Sequence, residues 1–397
     1  MTEKIRKSYE HTIYACYIGY ITQAIVNNLA PLLFLTFASE FSLTLEKITL
    51  ITTINFTVQL CVDLLSARFI DGIGYRRSVI IAHICSAAGL IGMALLPDVL
   101  PNAYAGLLIC VVLYAIGGGI IEVLISPIVE ACPTEKKEAA MSLLHSFYCW
   151  GHLAVVLVST LFFSLAGIRN WRILSCLWAV IPLANCFYFA LVPIFPIVAA
   201  EEEKLSLKGL LGQKTFWLIF VLMICAGASE QGMSQWASAY AEAGLHVSKT
   251  VGDILGPCAF ALLMGIARAW YGKKSDRIPL KKMMLLCGAL CVVCYVTAAF
   301  APIPVLGLAG CAVCGFSVGI FWPGTFSVAA RALPGGGTAM YALMALAGDI
   351  GCASGPTVVG LTASAFGGNL KAGLVLAMVF PVLIILGISR LREETTS

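Results

Sequence analysis

The sequence predicts an all-α membrane protein, with twelve transmembrane helices in two pseudo-symmetric six-helix bundles. Three observations lead there. Of the 397 residues, 60% are hydrophobic and only 12% are charged, about half the charged fraction of an ordinary soluble domain. Apolar runs of roughly 20 residues, the length that crosses a bilayer as a helix, recur from one end of the chain to the other. A polar loop in the first half is echoed in the second, about half a chain later.

The six spans of the first half are expected at Ile13 to Phe37, Ile48 to Phe69, Ser78 to Leu96, Ala103 to Ile128, Ala139 to Leu165 and Ile173 to Ile197. Those of the second half are expected at Phe216 to Tyr240, Val251 to Trp270, Met283 to Phe300, Val305 to Ala330, Thr338 to Phe366 and Ala372 to Ile388. Lipid offers no partner to a bare amide, so these runs must close their hydrogen bonds internally as helices, and the alternating polarity of barrel strands is absent. A polar stretch, "AAEEEKLSLKGLLGQK" at 199–214, separates the halves. The expected domains are therefore 1–198, a cytoplasmic linker 199–214, and 215–397.

Orientation follows from the basic residues, which stay in cytoplasmic loops. With the N-terminus inside, only Lys47, Arg169, Arg172, Lys249 and Lys371 of the 25 Lys and Arg fall outside. Both termini are thus expected in the cytoplasm of a cell whose plasma (inner) membrane the protein spans. The net charge of +4 is a topology signal, and no nucleic-acid partner is expected. The first apolar run is long and lacks a small-residue cleavage site, against a removable signal peptide. The 16 cysteines lie almost all in apolar runs, where a thiol behaves as a small hydrophobe. Cys291, Cys294, Cys311 and Cys314 have the spacing of a zinc site. In two adjoining membrane helices, four thiolates would bury charge with no water route for the metal, so packing is their expected role.

After the second span comes "SARFIDGIGYRRS", and after the eighth "YGKKSDRIPLKKM": each places an acid near a helix end and a basic pair after it. These loops, with Asp71, Gly74, Arg76 and Arg77 in the first and Gly272, Asp276, Arg277, Lys281 and Lys282 in the second, resemble the signature loops of the major facilitator superfamily. The resemblance covers essentially the whole chain. It implies two parallel six-helix repeats and loops that latch the cytoplasmic side, made or broken as the bundles rock. Asp63 and Arg268 each lie eight residues before their loop's acid, so opposite charges hold equivalent places in the two halves and suggest a further switchable contact.

Few ionisable groups remain within the spans: Asp63, Glu122, His145, His152, Glu230 and Asp349, with Arg268 near an end. A carboxylate at mid-helix facing lipid costs about 3 kcal/mol, so such groups are expected to face a bundle interior. The order Gly117, Gly119, Glu122, Pro127 resembles the fourth helix of the fucose/proton symporter branch, where the glutamate at that place serves proton coupling or sugar binding. "SLLHSFYCWG" at 142–151 resembles that branch's fifth helix and implies a substrate contact at His145; Asn27, Asn28 and Leu29 match an Asn-Asn-Leu element in its first. Two positions depart from the pattern. Pro31 stands where fucose permease has an aspartate, and Ser126 stands where an asparagine is usual, which sets fucose itself and the same coupling scheme apart.

Glu122 and His145 are accordingly expected to line one aqueous cavity in the first bundle, with His152 structural. The facing wall is expected from the seventh span, where Gln231 and Gln235 share one helix face and Trp236 and Tyr240 the adjoining one. Amides bind hydroxyls and rings cover C–H faces, which suits a sugar or similar polyol. Glu230 would add a second titrating group, Trp322 and Pro323 further contacts, and Asp349 a coupling site or latch. Gly227 and Gly232 are expected to loosen the seventh span.

No Walker-type loop or HExxH motif is present, and "GFSVG" at 315–319 sits in a membrane run without strand-turn-helix context. The expectation is a monomeric secondary transporter, not an enzyme, with no cofactor. It would move a small polar solute by alternating access, coupled to protons, with Glu122 as first carrier. Alternatives are proton-driven efflux of a lipophilic drug or metabolite, which the resemblance disfavours because antiporters of that superfamily tend to carry a Gly-Pro pair in the fifth helix and here Gly151 is followed by "HLAVV", sodium-coupled uptake, and, remotely, a membrane-embedded enzyme.

Overall fold

In a computed structural model, residues 5–6, 8–134, 137–195, 207–274, 278–333 and 337–391 are described. Among them are twelve helices long and apolar enough to span a bilayer: α1 (Tyr9–Glu40), α2 (Leu45–Leu65), α3 (Tyr75–Val99), α4 (Ala103–Glu130), α5 (Leu143–Ala166), α6 (Ile168–Leu191), α7 (Lys214–Gly244), α8 (Lys249–Tyr271), α9 (Leu280–Phe300), α10 (Pro304–Ala332), α11 (Met340–Ala365) and α12 (Leu370–Arg390). The molecule is an integral, multi-pass membrane protein. Its chain divides into two compact units, Met1–Ala200 and Glu201–Ser397.

Each unit is held together by the same scheme. In the first, α3 packs on α4 and α6, α1 on α4, α5 and α6, and α2 on α4. In the second, α9 packs on α10 and α12, α7 on α10, α11 and α12, and α8 on α10. Shifting every label by six turns one list into the other; α11 also packs extensively on α12, which α5 and α6 barely do. Lipid tails are as apolar as leucine, so helix association in a membrane relies on close van der Waals fit and small residues at the seams. Gly117 on α4 fits this: an added Cβ would collide with Ser86 and the Ala82 carbonyl of α3. Gly355 on α11 does the same against the Ala228 backbone of α7.

Several helices are interrupted. In α1 the α-helix stops at Asn28, gives way to a 3-10 turn at Ala30–Leu33 and resumes at Phe34; Pro31 lacks the N–H that would bond the Asn27 carbonyl. In α7 the regular helix ends at Ser234, and a π-helical turn occupies Tyr240–Gly244. The break falls at Gln235–Trp236 rather than at Gly227 and Gly232. Gly227 instead brings α7 close to Gly348 and Cys352 of α11. In α10 the break follows Val318.

Charged residues near the opposite ends of α1, α3 and α6 are gathered by Arg172. Its guanidinium meets Glu40 at 2.6 Å and forks onto Asp98 at 2.8 and 2.9 Å. It also lies 4.5 Å over the Trp171 ring, whose indole N–H donates to Glu40 at 2.8 Å.

Candidate functional site

In the first unit, polar side chains converge where α1, α2 and α4 meet. Tyr20, Gln23 and Asn27 lie one helical turn apart along one stripe of α1. The Gln23 amide donates to Glu122 at 2.5 Å, and the Tyr20 hydroxyl is 3.1 Å from that of Ser126, one turn below Glu122 on α4. Further along, the Asn27 side-chain carbonyl accepts from Asn55 at 3.1 Å and from Gln59 at 2.8 Å, while Gln59 also donates to Asn55 at 3.1 Å. Gly119 of α4 permits the approach, since a Cβ there would press on the Gln59 backbone and on Val62. The result is a ladder of amides leading to a partly buried carboxylate.

Asp63 of α2 completes this end of the ladder: a carboxylate oxygen of Asp63 and one of Glu122 lie within 4.8 Å. Like charges so close couple their protonation, because gain of a proton by one changes the field at the other. The structure therefore sets Asp63, expected as a latch, beside the expected carrier. His145 is exposed and faces the Tyr20 ring at 5.5 Å between centroids; the hydrogen bond to Glu122 comes from Gln23. Asn28 turns back to the Ala24 carbonyl of its own helix at 2.9 Å. His152 is buried. Gln23, Asn55 and Gln59 were not singled out by sequence reasoning, although Gln23 and Asn27 are separated by four residues on one face and Asn55 and Gln59 by the same interval.

In the second unit, Glu230 of α7 is buried and sits 3.7 Å from the Arg268 guanidinium of α8. Gln231 donates to Glu230 at 3.2 Å, and Gln235 to Gln231 at 3.1 Å. The break in α10 has a use here, because the Gly319 carbonyl accepts from Arg268 at 3.2 Å. Arg268, expected with Asp63 to offer a switchable contact, is thus tied within its own unit to the α7 acid. Trp236 is buried and its indole N–H is taken by the Pro356 carbonyl at 2.9 Å, while the Tyr240 hydroxyl bonds the Ala298 carbonyl. Both rings are buried, with their polar atoms bonded to other helices. Trp322 lies against Gly348, next to the buried Asp349.

In the first signature loop, Gly74 ends the helix that continues α2 to Ile73, with φ of 88°, a left-handed conformation that glycine adopts without strain. Arg76 donates to the Phe189 and Ala190 carbonyls at the end of α6, at 2.8 and 3.2 Å, where a cation complements the helix dipole. With Arg6 it lines an open cavity of about 410 Å³. Arg77 is exposed. The side chain of Asp71, and Asp276 and Arg277, lie outside the described residues; Gly272 falls within the helix that continues α8 to Lys274. The four spaced cysteines are buried: Cys291 and Cys314 are 3.9 Å apart, and Cys311 touches the Met233 sulfur at 3.4 Å.

The fold is shared with solved transporters. The E. coli Fucose:proton symporter superposes with a TM-score of 0.65 at 16% identity, over 96% of this chain and 99% of that one. A D-xylose-proton symporter gives 0.77 at 14% identity over 97% of each chain. A bacterial homolog of the human lysosomal transporter Spinster, in an inward-facing and occupied conformation, gives 0.74 at 15% identity over 96% of each. In sequence, the chain is 26% identical over 262 residues to the Membrane protein MosC of Rhizobium meliloti, a match spanning 65% of this chain and 61% of that protein. The family model of the Major Facilitator Superfamily matches residues 16–356 and 258–395. Twelve spans, a packing scheme used twice and a family match along nearly the whole length have one reading: the chain belongs to the Major Facilitator Superfamily of transporters.

Proposed function

We propose that this protein is a proton-coupled secondary transporter that moves a small polar, sugar-like solute by alternating access, with Glu122 carrying the proton. The observation that supports this most is the amide ladder of the first unit. Asn27, Asn55 and Gln59 offer several hydrogen-bonding groups beside a carboxylate that is itself bonded to Gln23. Hydroxyl-rich solutes are recognised by such arrays, and an acid among membrane helices marks an ion or proton path. Gln231, Gln235 and Glu230 form a comparable array in the second unit. The sugar:proton symporters among the structural neighbours agree with this solute class.

The halves 1–198 and 215–397, joined by 199–214, are the working bodies, in a cell's plasma (inner) membrane with both termini cytoplasmic. A second reading, sodium coupling, is favoured by one feature: the Asp63 and Glu122 carboxylates lie close enough to suit a hard cation. Reconstituted vesicles decide between them. Solute counterflow, measured with a panel of sugars, amino acids and drugs, is expected for a polyol and to survive in Glu122→Gln, while accumulation driven by a pH gradient is lost. Unchanged accumulation in that variant places the carrier elsewhere. Accumulation that follows a sodium gradient alone selects the second reading.

A further inference from the structure

Gln23 has two polar atoms in very different situations. Its amide nitrogen donates to Glu122 Oε2 at 2.5 Å. Its Oε1 is buried and has no hydrogen-bond partner, in a side chain that is 3% exposed. A buried carbonyl oxygen left unmatched is unfavourable, and such an atom calls for an explanation. Chemistry supplies one. An ionised carboxylate only accepts, and an amide N–H satisfies it; a neutral carboxylic acid presents an O–H, which only an acceptor satisfies. A primary amide contains both groups, and half a turn of its terminal torsion exchanges them.

We propose that Gln23 is a positioning residue that follows the protonation of Glu122: it donates through its nitrogen to the ionised acid and, after its amide rotates, accepts the acid's proton-bearing oxygen through Oε1. This rests on Glu122 being the proton carrier. In the loading step a hydronium ion gives up its proton and is left as water, an O–H bond forms on Oε2, the N–H···O bond breaks and an O–H···O bond to Oε1 replaces it. Unloading reverses each change. The unmatched oxygen is the vacant half of a device that serves both states, which lysine or aspartate at this place could not do, since the first only donates and the second when ionised only accepts. The groups that face Glu122 within its unit are Asp63 from α2, within 4.8 Å, and Tyr20 from α1, whose hydroxyl meets Ser126 and whose ring adjoins His145 of α5. None of these is an amide, with an N–H donor and a carbonyl acceptor that half a turn exchanges.

Infrared difference spectra of the reconstituted protein, acid minus alkaline, test this. The wild type is expected to show a protonated-carboxyl C=O band together with a paired shift of a side-chain amide band. Glu122→Gln should lose that carboxyl band. Gln23→Met, of similar length but unable to bond in either state, should keep the carboxyl band, move it to higher frequency and lose the amide pair. The pH midpoint of its accumulation should move by about one unit. Gln23→Asn, too short to reach, should match Gln23→Met and replaces it if that variant fails to fold. A carboxyl band in both Gln23 variants that superimposes on the wild type overturns the proposal. A band that survives intact in Glu122→Gln removes the carrier assignment, and the switch with it. Reproduction of the amide shift by sodium at fixed alkaline pH overturns the proton as the ion that Gln23 follows.

Discussion

Asn27 is bonded by two amides, those of Asn55 and Gln59, so its removal strands two buried donors. Asn27→Ala should therefore destabilise the protein by roughly 1–3 kcal/mol and weaken solute binding, both measurable as a fall in thermal midpoint and a rise in the concentration for half-maximal counterflow. Trp236→Phe is expected to behave otherwise. It removes the bond to the Pro356 carbonyl and about 1 kcal/mol of stability, while preference among solutes stays as it was; a changed preference would return the ring to the binding surface. Residues of this kind were legible in sequence to different depths. Glu122 stood out because charge is rare in oil. Gln23, Asn55 and Gln59 did not, since a neutral amide on a membrane helix gives little signal until its partners on other helices are known. The inward turn of Trp236 was not legible for the converse reason: ring and amide neighbours on a helical stripe do not reveal which one turns into the protein.

Among the elements, span positions could be read almost directly, because hydropathy reports bilayer length. Interruptions could not. Proline at 31 announces the 3-10 turn in α1, but the break at Gln235–Trp236 has no proline or glycine at its site. It arises from tertiary contacts, the Trp236 anchor and the Tyr240 bond among them, which outweigh local propensity. At the α7–α11 seam, Gly355→Leu would drive a side chain into the Ala228 backbone. Overpacking of this kind costs about 1–3 kcal/mol or more, and the yield of folded protein from detergent extraction should fall. Arg172 binds the ends of three helices, through Glu40 of α1 and Asp98 of α3. Arg172→Gln should lower stability by about 1–2 kcal/mol, between the values for exposed and buried pairs, with a smaller deficit at high salt.

For the whole molecule, charge distribution predicts topology that geometry alone does not carry. Of the 25 basic residues, only Lys47, Arg169, Arg172, Lys249 and Lys371 fall in loops assigned outside. Reporters fused to either end should be active only on the cytoplasmic side. The sequence also showed the duplication, through two similar loops, and in the structure it extends to which helix packs on which. That repetition has a consequence for how substitutions are borne. If every position were varied in turn, the map of what each half tolerates should repeat after half a chain along the seams between helices. It should lose that rhythm at Gln23, Glu122 and Arg268, where the chemistry proposed for one half has no counterpart in the other.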